Sequence, residues 1–201
     1  MKDKSPAIER DLSLKEKILE SSRHLLATEG YNGLSMRKIA GLVGCKAASI
    51  YHHFESKDKI VHALIDEGYQ LQYDYILKRI KGMTEPLSRL EARARAFIDF
   101  GLENPEFYHI MYVLYTDEME RYPKENYRRN TLNMAGTIED IAAAAKSGHI
   151  DLKEEPEILA SAGTAMLHGV VSLFLTKRFH VKLDRERIKD IVVRQAIRLN
   201  M

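Results

Sequence analysis

The chain has 201 residues, of which 45% are hydrophobic and 30% charged, and its formal net charge is +2. This composition supports one or two packed domains and excludes a disordered chain. The near-neutral charge by itself neither indicates nor excludes a nucleic-acid partner. Its single cysteine, Cys45, excludes an intrachain disulfide and a zinc site built from cysteines. Because the N-terminus is polar and no window approaches about 20 apolar residues, we expect a cytoplasmic protein with no membrane partner.

Apolar residues recur at spacings of three and four along almost the whole chain after residue 11, which predicts an all-α fold of about nine helices. Gly, Pro and capping residues bound these predicted helices at approximately 12–29, 36–43, 46–52, 57–81, 84–103, 105–115, 123–147, 156–178 and 184–199. We therefore expect a flexible tail (1–11), a small helical head (12–56) and a helical C-terminal domain (57–201).

The stretch from Gly30 to Phe54 contains no Asp or Glu, although these residues occupy 29 of the chain's 201 positions. A surface without carboxylates can approach DNA, which carries about one negative charge per 1.7 Å of axis. Ser35 is placed to cap one helix, and Gly44 can supply the positive φ of a turn before a second short helix. Ala40 provides a small residue where the two helices cross. The spacing predicts a helix-turn-helix unit, with an ordinary helical hairpin as the alternative.

The run GLSMRKIAGLVGCKAASIYHHFESKDKIVHALI, which begins at Gly33, resembles the N-terminal domain of the TetR family of bacterial repressors. The resemblance extends from about Leu14 to Leu64. It implies a three-helix head with a recognition helix at about 46–52, and a helical C-terminal domain that dimerises and usually binds a small molecule. The implied phosphate contacts are Ser35, Arg37, Tyr51, His52 and Lys57. The implied base contacts are Lys46 and Ser49, with Ala48 against a thymine methyl group.

Two later segments, NPEFYHIMY (104–112) and AMLHGVVSLFL (165–175), resemble the TetR C-terminal class that carries a Trp…His-Gly signature, although this chain has no Trp. A ligand pocket between helices should be mainly apolar with a few polar groups. The aromatic, Met, Ile and His residues that we expect to line it are Phe97, Phe100, Tyr108, Met111, Tyr112, Tyr115, Met134, Ile138 and His168. The alternative is that these residues only fill the core, with His168 as a hydrogen-bonded core histidine.

By the same resemblance, the last two helices are expected to form a homodimer interface. The apolar and small residues that we expect there are Leu159, Gly163, Met166, Leu167, Val170, Val171, Phe174, Ile188, Ile191 and Val192. The cluster of arginines at 89, 93 and 95 is predicted to balance acidic residues of its own helix. The histidines show no metal-ligand spacing, so we expect no metal. We also expect no cofactor and no catalytic residues.

These features together predict a homodimeric DNA-binding regulator, a repressor that a small hydrophobic or amphipathic ligand releases from a pseudo-palindromic double-stranded DNA operator. Two alternatives stay open from the sequence: a helical enzyme, and a DNA-bound adaptor without a small-molecule ligand. No paired carboxylates, nucleophile–base pair or phosphate loop supports the enzyme. Cys45 at the turn raises the further hypothesis of a redox sensor, against the simpler reading of a small buried residue.

Overall fold

The computed structural model of the chain describes residues 12–123, 128–179 and 184–198, and every regular element within these ranges is an α-helix. The helices in chain order are α1 (Leu14–Gly33), α2 (Met36–Val43), α3 (Ala47–Tyr51), α4 (Lys57–Ile80), α5 (Pro86–Glu103), α6 (Pro105–Tyr112), α7 (Arg128–Lys146), α8 (Pro156–Leu175) and α9 (Arg185–Arg198). The predicted all-α fold is confirmed. The predicted tail (1–11) lies outside the described residues.

Two helix boundaries differ from the sequence prediction for identifiable reasons. Helix α1 continues in a short turn to Gly33, although Gly30 interrupts its regular geometry with a φ of 70°, a conformation that favours glycine. Helix α6 ends at Tyr112 instead of 115, because the backbone turns at Val113 and the N–H of Leu114 donates to the carbonyl of His109. Tyr115 therefore does not share the helical face of Tyr112.

The chain divides into two compact units. The first unit contains the described residues up to Leu64 and the segment Tyr115–Glu120, and the second contains Ile65–Leu114 and the described residues from Arg121 onward. Helix α4 is continuous through the boundary between Leu64 and Ile65.

The first unit packs α1, α2, α3 and the start of α4 around one set of apolar side chains. Ser13 and Glu16 form a capping box that begins α1. The residues that are at most 1% exposed in this unit are Ile18, Ser22, Leu26, Leu34, Ile39, Ile50, Ile60, Val61 and Leu64. These contacts fix the short α3, which has too few residues to be stable alone.

In the second unit, α5 packs against α7, α8 and α9. Its larger buried cluster consists of Ala94, Phe97, Ile98, Tyr108, Leu167, Val170, Val171, Val193 and Ala196. Gly101 allows α5 to approach closely, because a Cβ there would lie 2.7 Å from Val171 and 2.8 Å from Tyr108. A second cluster joins α5, α7 and α8 through Leu90, Ile141, Ala144, Ile150, Leu159 and Ala160.

Helix α8 corrects the expectation that no segment is long and apolar enough to cross a bilayer. By length and composition, this one helix of the described residues could do so. The same properties are found in core helices of soluble proteins, and one face of α8 is buried in the clusters just described. The hydrophobicity of α8 is therefore weak evidence for a membrane span.

Candidate functional site

The helix-turn-helix geometry comes from a cap, a glycine and one anchor residue. The Ser35 hydroxyl accepts a hydrogen bond from the N–H of Lys38 (3.3 Å) and so begins α2. Gly44 ends α2 with φ 74° and ψ 33°, a left-handed conformation. The N–H of Cys45 then donates to the carbonyl of Ala40 (3.0 Å). Ile50, which is fully buried, fixes α3 against the unit.

The residues expected to contact DNA lie mostly on the surface of the first unit. Six of them are exposed, namely Ser35, Arg37, Lys46, Ala48, Tyr51 and His52, whereas Ser49 and Lys57 are half-buried. Tyr51 exposes 55% of its surface, which is unusual for a large aromatic side chain. The arrangement presents cations, hydroxyls and an imidazole without a carboxylate on α2 or α3.

Two lysines close to this surface are held by neighbours in the same unit. Lys38 forms an ion pair with Glu29. The Lys57 ammonium lies 3.8 Å from the centroid of the Tyr31 ring, a cation–π geometry, and Tyr31 donates its hydroxyl hydrogen bond to Asp58. Burial and this bond to Asp58 raise the pKa of Tyr31 above its ordinary value. A phosphate contact by Lys57 would have to form beside this existing contact, and it stays a prediction.

The second unit contains a cavity with an empty volume of about 710 Å³, a figure that includes solvent at its mouth. Its apolar lining consists of Ile76, Leu90, Ala94, Phe97, Tyr112, Met134, Ile141, Leu159, Ala160, Gly163, Leu167, Ala196 and Ile197. Its polar lining consists of Gln72, Arg93, Asn133, Thr137 and Thr164. An apolar cavity with a few polar groups is typical of small-molecule sites.

Three of the nine residues expected in a pocket, Phe97, Tyr112 and Met134, line this cavity. Phe100, Tyr108 and Met111 are instead buried elsewhere in the unit. Ile138 and His168 are half-buried outside the lining, and Tyr115, which is 62% exposed, belongs to the other unit.

His168 is engaged by Tyr108. The Tyr108 hydroxyl is hydrogen-bonded to Nδ1 of His168, and the two rings stack with centroids 5.5 Å apart. Burial raises the pKa of the Tyr108 hydroxyl. These contacts favour the alternative interpretation of His168 as a hydrogen-bonded core histidine.

The polar residues of the lining were missed by the sequence analysis, although two left a signal. Gln72 follows Ile65 and Tyr69 and precedes Ile76 on the buried stripe of α4, and Arg93 lies between Leu90 and Phe97 on that of α5. A polar residue at a core position of a helix indicates a buried partner or a functional role. Asn133 carried no comparable local signal.

The arginines of α5 correct the expectation that they balance only their own helix. Arg93 Nε and Arg89 Nε each lie 2.6 Å from a carboxylate oxygen of Asp140 on α7, which is buried. Arg95 does pair with Glu91 on its own helix (3.0 Å), and it also binds Asp190 of α9 (2.6 Å). Two of the three arginines thus join α5 to α7, where the sequence spacing gave no sign of a partner.

The residues expected in a dimer interface are divided between core and surface. Leu159, Gly163, Leu167, Val170 and Val171 are buried within the chain itself, so these residues have little surface to offer a partner. Met166, Phe174, Ile188 and Val192 are half-buried, and Ile191 is exposed. The surface of α8 that is open instead presents Ile158, Ser161, Ala162, Ala165 and Leu173.

The part of the chain that the structure describes contains no group of three His, Cys, Asp or Glu side chains able to hold a metal ion. Cys45 is a half-buried free thiol. The redox hypothesis for it stays untested.

Comparison with protein families gives two matches that together leave only the chain ends and one internal stretch uncovered. Residues 18–64 match the model of bacterial regulatory proteins of the tetR family. Residues 90–196 match the model of the tetracyclin repressor-like C-terminal domain. The first match contains α2 and α3, and the second contains most of the residues that line the cavity.

Curated relatives match part of the chain at modest identity. The HTH-type transcriptional repressor KstR2 of Mycobacterium tuberculosis is 28% identical over 109 residues, which are 54% of this chain and 52% of KstR2. The negative transcriptional regulator IcaR of the biofilm operon icaADBC in Staphylococcus aureus is 28% identical over 64% of this chain and 63% of IcaR. The chain thus spans about half to two thirds of the length of these relatives.

Solved structures match nearly the whole fold. A tetR-family regulatory protein from Rhodococcus RHA1 has a TM-score of 0.78 and 19% identity, with 94% of this chain and 97% of that chain covered. AibR, in complex with isovaleryl coenzyme A and operator DNA, has a TM-score of 0.69 and 25% identity, with 91% and 97% covered. The fold is therefore one that holds DNA and a small molecule in at least one relative.

Proposed function

Because the chain belongs to the TetR family of bacterial regulatory proteins, we propose that it is a homodimeric, cytoplasmic repressor that leaves its DNA operator when a small molecule binds the second unit. The observation that carries the DNA-binding part is the surface of α2 and α3. This surface combines the αL turn at Gly44 with exposed Arg37, Lys46, Tyr51 and His52 and has no carboxylate. Exposed cations, hydroxyls and imidazoles of this kind contact phosphates and base edges in the major groove.

The cavity supports the ligand part of the proposal. Its lining is mostly apolar, and it lies within the unit that matches the C-terminal family model. AibR binds isovaleryl coenzyme A in a complex that also contains operator DNA. KstR2 is a repressor and IcaR a negative regulator, which favours repression over activation for this chain.

Two parts of the chain can carry a signal from the cavity to the DNA-binding unit. Helix α4 contributes Gln72 and Ile76 to the cavity and contains residues of both units. Tyr112 lines the cavity at the end of α6, and the segment Tyr115–Glu120 of the first unit begins three residues later. There, Glu120 pairs with Lys59 of α4 at 3.0 Å. Ligand binding need only favour one of two arrangements by about 1–3 kcal/mol.

The open surface of α8 is the proposed dimer interface. Ile158, Ala162, Ala165 and Gly169 recur at helical spacing, and nothing lies within 4 Å of the position where Gly169 would carry a Cβ. Small residues let two helices approach closely, and paired α8 and α9 helices from two chains would form a four-helix bundle. A two-fold dimer places two recognition helices over the half-sites of a pseudo-palindrome.

The proposal is tested by selecting genomic fragments from the source organism with the purified protein. We expect the bound fragments to share a short inverted repeat, and a small-molecule extract of the same cells to release them. Bound repeats that no extract fraction releases would contradict the ligand-released repressor and favour the DNA-bound adaptor. Fragments without a shared repeat would contradict operator recognition itself.

A further inference from the structure

Two buried amide side chains on the cavity wall retain unsatisfied hydrogen-bonding atoms. Gln72 on α4 is 1% exposed, and Asn133 on α7 is 9% exposed. The Gln72 Oε1 accepts hydrogen bonds from the Tyr112 hydroxyl (2.8 Å) and from the Asn133 Nδ2 (3.5 Å). The Gln72 Nε2 donor and the Asn133 Oδ1 acceptor have no partner among the described residues. Buried polar groups are nearly always paired, so a partner for these two is to be sought in the cavity that both residues line.

This conclusion does not depend on the orientation of the two amides, whose nitrogen and oxygen atoms are alike in shape. If both groups are turned over, the Gln72 nitrogen donates to Tyr112 and to the Asn133 oxygen. The Gln72 oxygen and the Asn133 nitrogen are then the unpaired atoms. Either arrangement leaves one donor and one acceptor of the amide pair unused.

The other polar groups of the lining have partners within the unit. The Thr137 hydroxyl donates to the carbonyl of Asn133 (3.1 Å), and the Thr164 hydroxyl donates to the carbonyl of Ala160 (2.8 Å). Arg93 is paired through Nε with Asp140. The amide pair Gln72–Asn133 is thus the part of the lining that has both an unpaired hydrogen-bond donor and an unpaired acceptor.

Resting on the proposed function, which makes the cavity the effector site, we propose that the effector carries a neutral head group that both donates and accepts hydrogen bonds. A carboxamide or a hydroxyl on an apolar body has this chemistry. A carboxylate has only acceptors, so it would satisfy the unpaired nitrogen but leave the unpaired oxygen facing a like charge. The competing arrangement is a carboxylate bound to Arg93.

The test compares three probes of eight carbon atoms each, octanamide, 1-octanol and octanoate, by calorimetric titration of the full-length protein without DNA. We expect at least one neutral probe to bind about tenfold or more tightly than octanoate, because each lost hydrogen bond leaves a buried group unpaired. In Asn133→Leu, which keeps the bond between Tyr112 and Gln72, this preference should disappear. In the control Glu139→Gln, at an exposed position of α7 outside the cavity lining, the preference for a neutral probe should persist.

Asn133→Leu removes an unpaired buried oxygen, so its thermal midpoint should equal or exceed that of the wild type. If that variant does not fold, Asn133→Ala replaces it, because removal of the amide should also abolish the preference. Equal or tighter binding of octanoate, a preference that survives both variants, or no binding of a neutral probe would overturn the proposal. If a different compound releases the operator, the proposed repressor function stands even though the head-group proposal fails. If octanamide binds but the protein recognises no operator, only the proposed repressor function fails.

Discussion

Ser35 caps α2 while lying exposed on the surface that we propose to face DNA phosphates. Its hydroxyl accepts the N–H of Lys38 at 3.3 Å. The first N–H groups of a helix make its N-terminus electropositive, so the same few atoms favour both a capping oxygen and a phosphate. Substitutions at this position can therefore separate helix stability from DNA affinity.

We expect Ser35→Asp to keep the stability of the first unit and to lose DNA affinity. The Asp carboxylate caps a helix as well as Ser does, whereas Ser35→Ala should lower the free energy of unfolding by about 1 kcal/mol. On the DNA surface, that carboxylate would meet phosphates and weaken binding by about tenfold or more. Ser35→Asn, a neutral cap, is the control that should retain both properties. Chemical denaturation and operator anisotropy measure the two effects, and wild-type affinity in Ser35→Asp would contradict the assigned surface.

Two glycines of the helix-turn-helix unit should respond oppositely to alanine. Gly44 has a φ of +74°, and Gly41 lies exposed within α2 with nothing within 4 Å of an added Cβ. Gly44→Ala should cost about 1–2 kcal/mol because an L side chain is strained in the left-handed conformation. Gly41→Ala should instead add up to about 1 kcal/mol through helix propensity. Equal effects of both changes on the denaturation midpoint would contradict the turn geometry.

At the scale of elements, α5 and α7 are joined by an ion cluster in the interior of the second unit. Asp140 is 6% exposed and accepts hydrogen bonds from both Arg89 and Arg93. Gly136 on α7 makes room for this contact, because a Cβ there would lie 2.5 Å from the Arg93 guanidinium. The cluster thus holds a wall of the cavity in place.

We expect Asp140→Ala to lower the free energy of unfolding by about 3–5 kcal/mol, because it leaves buried guanidinium charge without its partner. Asp190→Ala is the matched control, since Asp190 also pairs with an arginine but its side chain is 42% exposed. Exposed pairs contribute little to stability. Denaturation midpoints compare the two variants, and a comparable loss in both would contradict the burial of the α5–α7 cluster.

Local patterns were sufficient to predict the all-α fold and the turn. The cap at Ser35 and the break at Gly44 each depend on residues only a few positions apart. The cavity was predicted less well, because its polar wall depends on partners far apart in sequence, such as Gln72 and Asn133. Sequence periodicity identified apolar faces of α8, but it could not tell which face packs within the chain and which stays open.

In the complete molecule, recognition of an operator requires two chains acting together. A single head offers one short recognition helix, whereas an inverted repeat needs two at a fixed spacing. The open residues of α8, among them Ile158 at 51% exposed and Leu173 at 40%, form the surface proposed to pair. Dimerisation and operator affinity should therefore be lost together.

Ala165→Arg should produce a monomer that binds operator weakly while its first unit unfolds at the wild-type midpoint. A cation facing its own copy across a two-fold axis is unpaired and repelled. Ala142→Arg, at an exposed position of α7, is the control that should stay dimeric. Sedimentation velocity gives the oligomeric state, and a dimeric Ala165→Arg variant would place the interface on a different surface.

We propose that this chain recognises a specific DNA sequence as a dimer. The most direct measurement is a sedimentation titration of one selected repeat and a scrambled fragment of equal length at several salt concentrations. We expect two chains per repeat, an affinity at least about a thousandfold above that of the scrambled fragment, and a log–log salt slope that reflects several phosphate contacts. Equal affinities for both fragments, with the same salt slope, would mean that the helix-turn-helix unit recognises only charge and would contradict sequence-specific binding.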